Sequence, residues 1–270
     1  MWLLYCVFVH LNIIFRKLQF HNLRKTNMDK KQQEALLLKA QTWFRETILP
    51  KHLANTAKLT KTKNLDINPF LAPYLAVFMT GELTPESIAK AIAYPRVMGS
   101  SITTSFGQNM QKFISDVLGN AFGSTTQGID IEFTDCIDGR KKYCQVKLGP
   151  NTINKDDVTT IHNHFKAVRN LGRTNNIAVR QDDMVIGILY GIPNQESNHY
   201  KKLSVEHSYP LFIGQNFWHR LTGAEDFYQR LIDAISKVAV EANGKQTLDQ
   251  VVATLSKDEK IIKLAKLANN

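Results

Sequence analysis

GIDIEFTDCIDGRKKYCQVKLGPN, residues 128–151, is the stretch whose reading decides the fold. It reads as two β-strands around Asp138-Gly139, a dipeptide suited to the φ > 0 geometry of a two-residue hairpin loop. With that turn Ile137 faces Arg140, Asp130 faces Lys147 and Glu132 faces Gln145. Side chains alternate across a strand, so Asp130, Glu132, Gln145 and Lys147 share one face. Ile129, Ile131, Phe133, Cys144, Val146 and Leu148 take the other, which is mostly apolar. The first face gathers two carboxylates, an amide and an ammonium. On a structural hairpin, a cross-strand ion pair between Asp130 and Lys147 would contribute only about 0.2–1 kcal/mol. The same groups side by side also make a site for a hard cation next to a phosphate. From these residues alone both readings stand.

Outward from the hairpin the chain alternates helical and strand patterns. Residues 29–49 read as a helix, with Leu36, Leu37, Ala40, Trp43 and Ile48 near the 3.6 period and Pro50 as its stop. A second helix starts at Pro69 and runs to about Thr80. Thr84 and Pro85 open a third, which is expected to end before Pro95. A fourth, about Thr104 to Leu118, packs Phe106, Met110, Phe113, Ile114 and Val117 and closes at Gly119. After the hairpin, Asn154 with Asp157 approximates a capping box that opens a helix over 155–171. Asp182-Asp183 reads as a turn into a strand, and residues 184–190 form a continuous apolar run suited to a buried central strand. Leu211-Phe-Ile is a shorter strand. Helices are expected at Phe217 to Leu221, at Phe227 to Val240 and, as one last basic helix, over 246–267. His162 and His164 lie on the 155–171 helix, where positions two apart diverge by about 200° and do not share an ion.

The chain has 270 residues and 43% hydrophobic content, enough for a substantial core. Its formal net charge of +10 suits a polyanionic partner, because phosphate contacts supply most nonspecific affinity for DNA. Three cysteines (Cys6, Cys136, Cys144) lack metal-ligand spacing, and their odd number points to free thiols in a reducing compartment. No GxxxxGK[ST], GxGxxG or GxSxG is present, which removes the common nucleotide-binding loops and the nucleophile elbow. MWLLYCVFVHLNIIF at the start is shorter than the ~20 residues needed to span a bilayer. Met28-Asp-Lys-Lys then reads as an ordinary cytosolic start. Residues 1–27 are therefore expected to be a start assigned too far upstream or a disordered extension, with no membrane association.

An acid on one strand, a short hairpin and then an acid-x-Lys triplet on the next resembles the PD-(D/E)XK nuclease superfamily. The flanking blocks are similar to type II restriction endonucleases, in particular the branch cutting GGNCC-like sites. These blocks are DINPFLAPYLAVFM (66–79), YPRVMGSSITTSFGQNMQKFISDVLG (94–119), VKLGPNTIN (146–154), MVIGILYG (184–191) and PLFIGQNFWHRLTG (210–223). The chain departs from the pattern at one point, since the acid of the triplet is Gln145, a weaker ligand than a carboxylate.

The resemblance implies an α/β, PD-(D/E)XK restriction-endonuclease-like fold, with a central mixed β-sheet flanked by helices. It implies a single endonuclease domain over 28–270: a helical part (28–120), a catalytic α/β core (121–223) and C-terminal helices (224–270). The implied activity is Mg2+-dependent cleavage of double-stranded DNA at a short palindromic G·C-rich site, by a prokaryotic, cytoplasmic homodimer. Asp130 would anchor the metal, with Gln145 and Glu132 as further ligands and Glu132 standing in for the missing acid. Lys147 would stabilise charge at the phosphate and help orient or deprotonate the attacking water. Asn151, Asn154, Lys155, Arg169 and Arg173, and beyond them Arg96 and Arg180, are candidates for DNA contact. Two other functions fit the same residues. One is a structure-selective repair nuclease; the other is a non-catalytic DNA-binding protein, which the loss of the acid at Gln145 would permit.

Overall fold

The computed structural model describes residues 28–267; the reading of residues 1–27 lies outside them. Within these bounds the chain forms two compact units. One takes residues 28–39 and 112–232, the other residues 40–111 and 233–267.

The second unit is helical. Its helices include α1 (Lys30–Trp43, continuing from the first unit), α2 (Leu49–Ala57), α3 (Leu71–Thr80), α4 (Pro85–Pro95) and α5 (Ile102–Phe113). Thr84 caps α4 through a reciprocal box with Ser87, as the Thr-Pro-Glu-Ser pattern predicts. The small residues Ala89 and Ala93, with Ile88, pack into a core with Val251, Val252, Leu255 and Ile261. Two expected stops are corrected. The chain stays helical through Pro50, which sits in the first turn of α2, and through Pro95, the last residue of α4. Each proline adjoins a π turn, Phe44–Ile48 or Arg96–Ser101. One inserted residue shifts the hydrogen-bond ladder there and accommodates a ring that has no N–H.

The first unit is built on a four-stranded mixed sheet, in the order β1 (Ile131–Thr134), β2 (Lys141–Lys147), β3 (Met184–Ile188), β4 (Leu211–Ile213). The β1–β2 pair is antiparallel and the other two pairs are parallel. The crossover from β2 to β3 carries α6 (Lys155–Thr174), whose Val158, Ile161, Phe165, Val168 and Gly172 form the buried stripe. Every residue of β3 is buried, as its unbroken apolar run requires. After β4 come α7 (Gln215–Thr222), α8 (Phe227–Glu241), α9 (Gly244–Leu255) and α10 (Glu259–Leu267). The single last helix expected over 246–267 is thus two helices, separated at residues 256–258.

Register fixes the two faces of the sheet. Tyr143, Gln145 and Lys147 pair with Met184, Ile186 and Ile188, and these β3 residues pack under α6. The polar face of the hairpin is therefore the α6 face. The opposite face carries Ile131, Phe133, Cys144 and Val146. There the missing side chain of Gly187 admits Phe217, since a Cβ would lie 2.3 Å from the Phe217 ring.

Candidate active site

The hairpin register differs from the expected one by two residues. Ile131 pairs with Cys144 and Glu132 with Tyr143, so Asp130 lies across from Gln145 rather than Lys147. The cause is the loop. Asp135 N–H bonds Arg140 O, leaving four loop residues, 136–139, with Gly139 at φ 69°. The buried Asp135 holds this wider loop by accepting the Ile137 N–H at 2.9 Å and pairing with Arg220. A shift of two preserves the alternation, so Glu132 still shares a face with Gln145 and Lys147, while Asp130 stands just before β1 with its N–H on Cys144 O.

At the mouth of the pair, side chains replace the backbone ladder. Asp130 Oδ2 accepts the Val146 N–H at 2.7 Å, where a carbonyl would continue the antiparallel pattern. Gly128 O instead accepts the Gln145 side-chain amide, whose Nε2 also lies 2.6 Å from His164 Nδ1 on α6. Asp130 is half-buried. Burial pushes its carboxyl pKa up, more than the Val146 N–H, Lys147 and His164 together pull it down. Lys147 Nζ sits 3.8 Å from Asp157 Oδ1. Asp157 is also the capping-box partner of Asn154, so the start of α6 holds the ammonium in place.

The cross-strand Asp130–Lys147 ion pair of a purely structural hairpin is not found among the described residues. No donor reaches Asp130 Oδ1 or Gln145 Oε1 among them either. Nor does any group of three His, Cys, Asp or Glu residues gather as a metal cluster there. A cation here would rest on one carboxylate and neutral oxygens.

Glu132 is engaged elsewhere. Its Oε1 accepts from Ser124 Oγ at 2.6 Å and Thr126 Oγ1 at 2.7 Å, and its Oε2 meets Lys141 Nζ at 2.6 Å. Burial raises its pKa, but these three donors outweigh burial and hold the carboxyl below its ordinary value.

Of the DNA-contact candidates, Asn151 and Lys155 are exposed near the end of β2, while the Asn154 side chain is committed to capping α6. Arg169 and Arg173 lie further along α6, about 8 and 14 Å of helical rise beyond His164. Arg169 bonds Gln181 there, and Arg173 is exposed. Arg180 is exposed and donates its N–H to Asp183; Arg96, also exposed, belongs to the other unit.

Sequence reading missed His164 and Gly128. One signal was available, because Asp157 and His164 are seven residues apart and so share a helix face, beside the buried stripe that meets the sheet. His162 turns elsewhere, to Tyr209 at 3.1 Å and to the His207 ring, so the two histidines do diverge.

No match was found among curated proteins. Residues 41–243, about three quarters of the chain, match the family described as Type II restriction endonuclease EcoO109I. That span contains the sheet, α6 and every residue placed around Asp130. The chain belongs to this restriction endonuclease family and is a type II site-specific deoxyribonuclease.

Proposed function

We propose that the chain cuts double-stranded DNA with Mg2+ at a short palindromic G·C-rich site of the GGNCC type, on a PD-(D/E)XK core. One observation carries the reading. Asp130, Gln145 and Lys147 stand together at the open end of β1–β2, and among the described residues two of their oxygens have no donor.

The donor set fits a hard cation. Asp130 offers a carboxylate oxygen and Gln145 an amide oxygen, and Mg2+ is commonly held by one or two carboxylates with waters and substrate phosphate. Burial disfavours the Asp130 anion, so a positive charge beside it is stabilising. Bound Mg2+ would supply a Lewis acid for charge on the phosphoryl oxygens. Lys147 meets the scissile phosphate and positions the water, while Asp157 limits where the ammonium can go. Glu132 anchors Lys141 and the Ser124–Thr126 turn and stays outside the metal set.

A palindromic target fits a two-fold dimer in which each protomer cuts one strand. The exposed apolar side of α3 and the Phe70 that precedes it, with Phe70 87% and Phe78 78% exposed and Tyr74 stacked on Phe78, suit burial against a second copy. Among the described residues no helix is long and apolar enough to cross a membrane.

Incubating purified protein with plasmid and Mg2+, then sequencing the ends, tests the reading. Discrete fragments with one shared end sequence are expected. Nicks confined to junctions or mismatches would favour a repair nuclease. Binding without cleavage in Mg2+ or Mn2+ would leave only the non-catalytic reading.

A further inference from the structure

We propose that His164 is a positioning residue that turns the Gln145 amide so that its oxygen, not its nitrogen, is offered to the metal. The inference rests on the metal-site reading above.

A carboxylate at position 145 would present two equivalent oxygens. An amide presents one oxygen and one NH2, and only the oxygen binds a hard cation. Gln145 therefore needs its orientation fixed, and the structure shows two acceptors that fix it. Gly128 O is a backbone carbonyl and can only accept, so the group facing it must be the NH2. The second N–H then points to His164 Nδ1 at 2.6 Å, which accepts and leaves the ring proton on Nε2. Both donors are spent on this side. Among the described residues the amide oxygen is the unspent group, on the face that also bears Lys147 and beside Asp130.

The surroundings hold this arrangement firmly. Gln145 is only 6% exposed, so a reversed amide would set a buried oxygen against the Gly128 carbonyl. Gly128 adopts φ +78°, and a Cβ there would lie 2.5 Å from the His164 ring. The glycine thus turns its carbonyl out of the ladder and lets the imidazole approach. His164 reaches the site from α6, whose position on the sheet is set by its own apolar stripe.

Mn2+ binding to the full chain without DNA, read from the electron-spin resonance of free Mn2+, tests this. His164→Leu should weaken binding about tenfold or more, the usual cost of losing a partner that orients a ligand. His164→Asn places an acceptor near the Nδ1 position and should stay within about threefold of the parent by the same reasoning. In a Gln145→Leu background, His164→Leu should add nothing, because there is no amide left to orient. Should His164→Leu fold poorly, His164→Phe keeps a ring against Gly128 without an acceptor and makes the same comparison.

Parental affinity in the Leu and Phe variants would overturn the proposal, as would equal loss in the Asn variant or an undiminished effect without Gln145. Asp130→Ala, run alongside, separates the levels. If it binds Mn2+ like the parent, the metal-site reading itself fails. If it loses Mn2+ while His164→Leu does not, only the orienting role of His164 fails.

Discussion

The two ends of the β1–β2 pair treat charge in opposite ways. At the loop end, Lys142 is 1% exposed, yet its Nζ meets Asp138 at 2.6 Å, the Asp182 carbonyl at 3.1 Å and Asp183 at 3.4 Å. Asp183 in turn takes Arg140 and the Arg180 N–H. Asp135, fully buried, pairs with Arg220. Each buried charge there has partners enough to offset its desolvation. At the open end, one N–H meets Asp130, one distant carboxylate meets Lys147, and two oxygens have no donor among the described residues. Charge count does not distinguish the two ends of this hairpin; leftover valence does.

The contrast is broken most directly by removing the open-end charges. Asp130→Ala and Lys147→Ala should each lower plasmid cleavage about 10³-fold or more, from several kcal/mol of lost charge stabilisation at the phosphate. Neither variant should melt at a much lower temperature, because neither side chain belongs to the core. Retained cutting in either variant would reject the site.

The loop end should respond in the reverse manner. Asp183→Ala leaves Lys142 buried with less compensation and should cost about 3–5 kcal/mol in urea unfolding. Folded enzyme at permissive temperature should still cut. A variant that keeps its stability and loses cleavage would show that the loop cluster takes part in the chemistry.

The acids at the two ends should also differ in the sign of their effect on stability. The pKa of Asp183 is lowered in the folded state. Burial raises it, but the Arg140 bond, the Arg180 N–H and the charges of Arg140 and Lys142 outweigh that. Its stabilising contribution is therefore present above the ordinary carboxylate value near ~4 and lost as pH falls through its folded value. Asp130 is raised, so its ionisation opposes folding, and stability is lost as pH rises through its folded value. Asp130→Asn should then stabilise the metal-free protein at neutral pH, by about 0.5–2 kcal/mol, the common gain from one stabilising substitution. Equal destabilisation by Asp130→Asn and Asp183→Asn would erase the distinction between the ends.

How much of this was legible follows from what each residue depends on. The face shared by Glu132, Gln145 and Lys147 needs only the two-residue period, and it survives a register error of two. The register itself was not legible, because Asp138-Gly139 suits a two-residue loop. The wider loop is imposed by contacts of Asp135 and Cys136 with Arg220, 80 or more residues away. Lys142 lies on the apolar face by alternation. Its burial depends on Asp183, which comes from the far side of α6. The continuity of helix through Pro50 and Pro95 was hidden for a related reason, since π turns next to the rings carry no local signal. Asn154, by contrast, caps α6 through residues within three positions, and the sequence shows it.

Glu132 sharpens the comparison, because it lies between the two ends and resembles both. By position it shares the open-end face; by partners it resembles the loop-end acids, with three donors on its two oxygens and a lowered pKa. If partners decide the role, Glu132→Ala should cut within a few-fold of the parent and lose about 1 kcal/mol of stability, roughly the worth of a partly exposed hydrogen-bonded pair. That stability difference should shrink as pH falls through the folded-state pKa of Glu132, since the parent then loses the same charge. If position decides, cleavage should fall as far as in Asp130→Ala, and a higher Mg2+ concentration should partly restore it. Cleavage measured across an Mg2+ series, beside urea unfolding at neutral and acid pH, distinguishes the two. A collapse of cleavage without loss of stability would return Glu132 to the metal shell as the stand-in for the acid absent at Gln145.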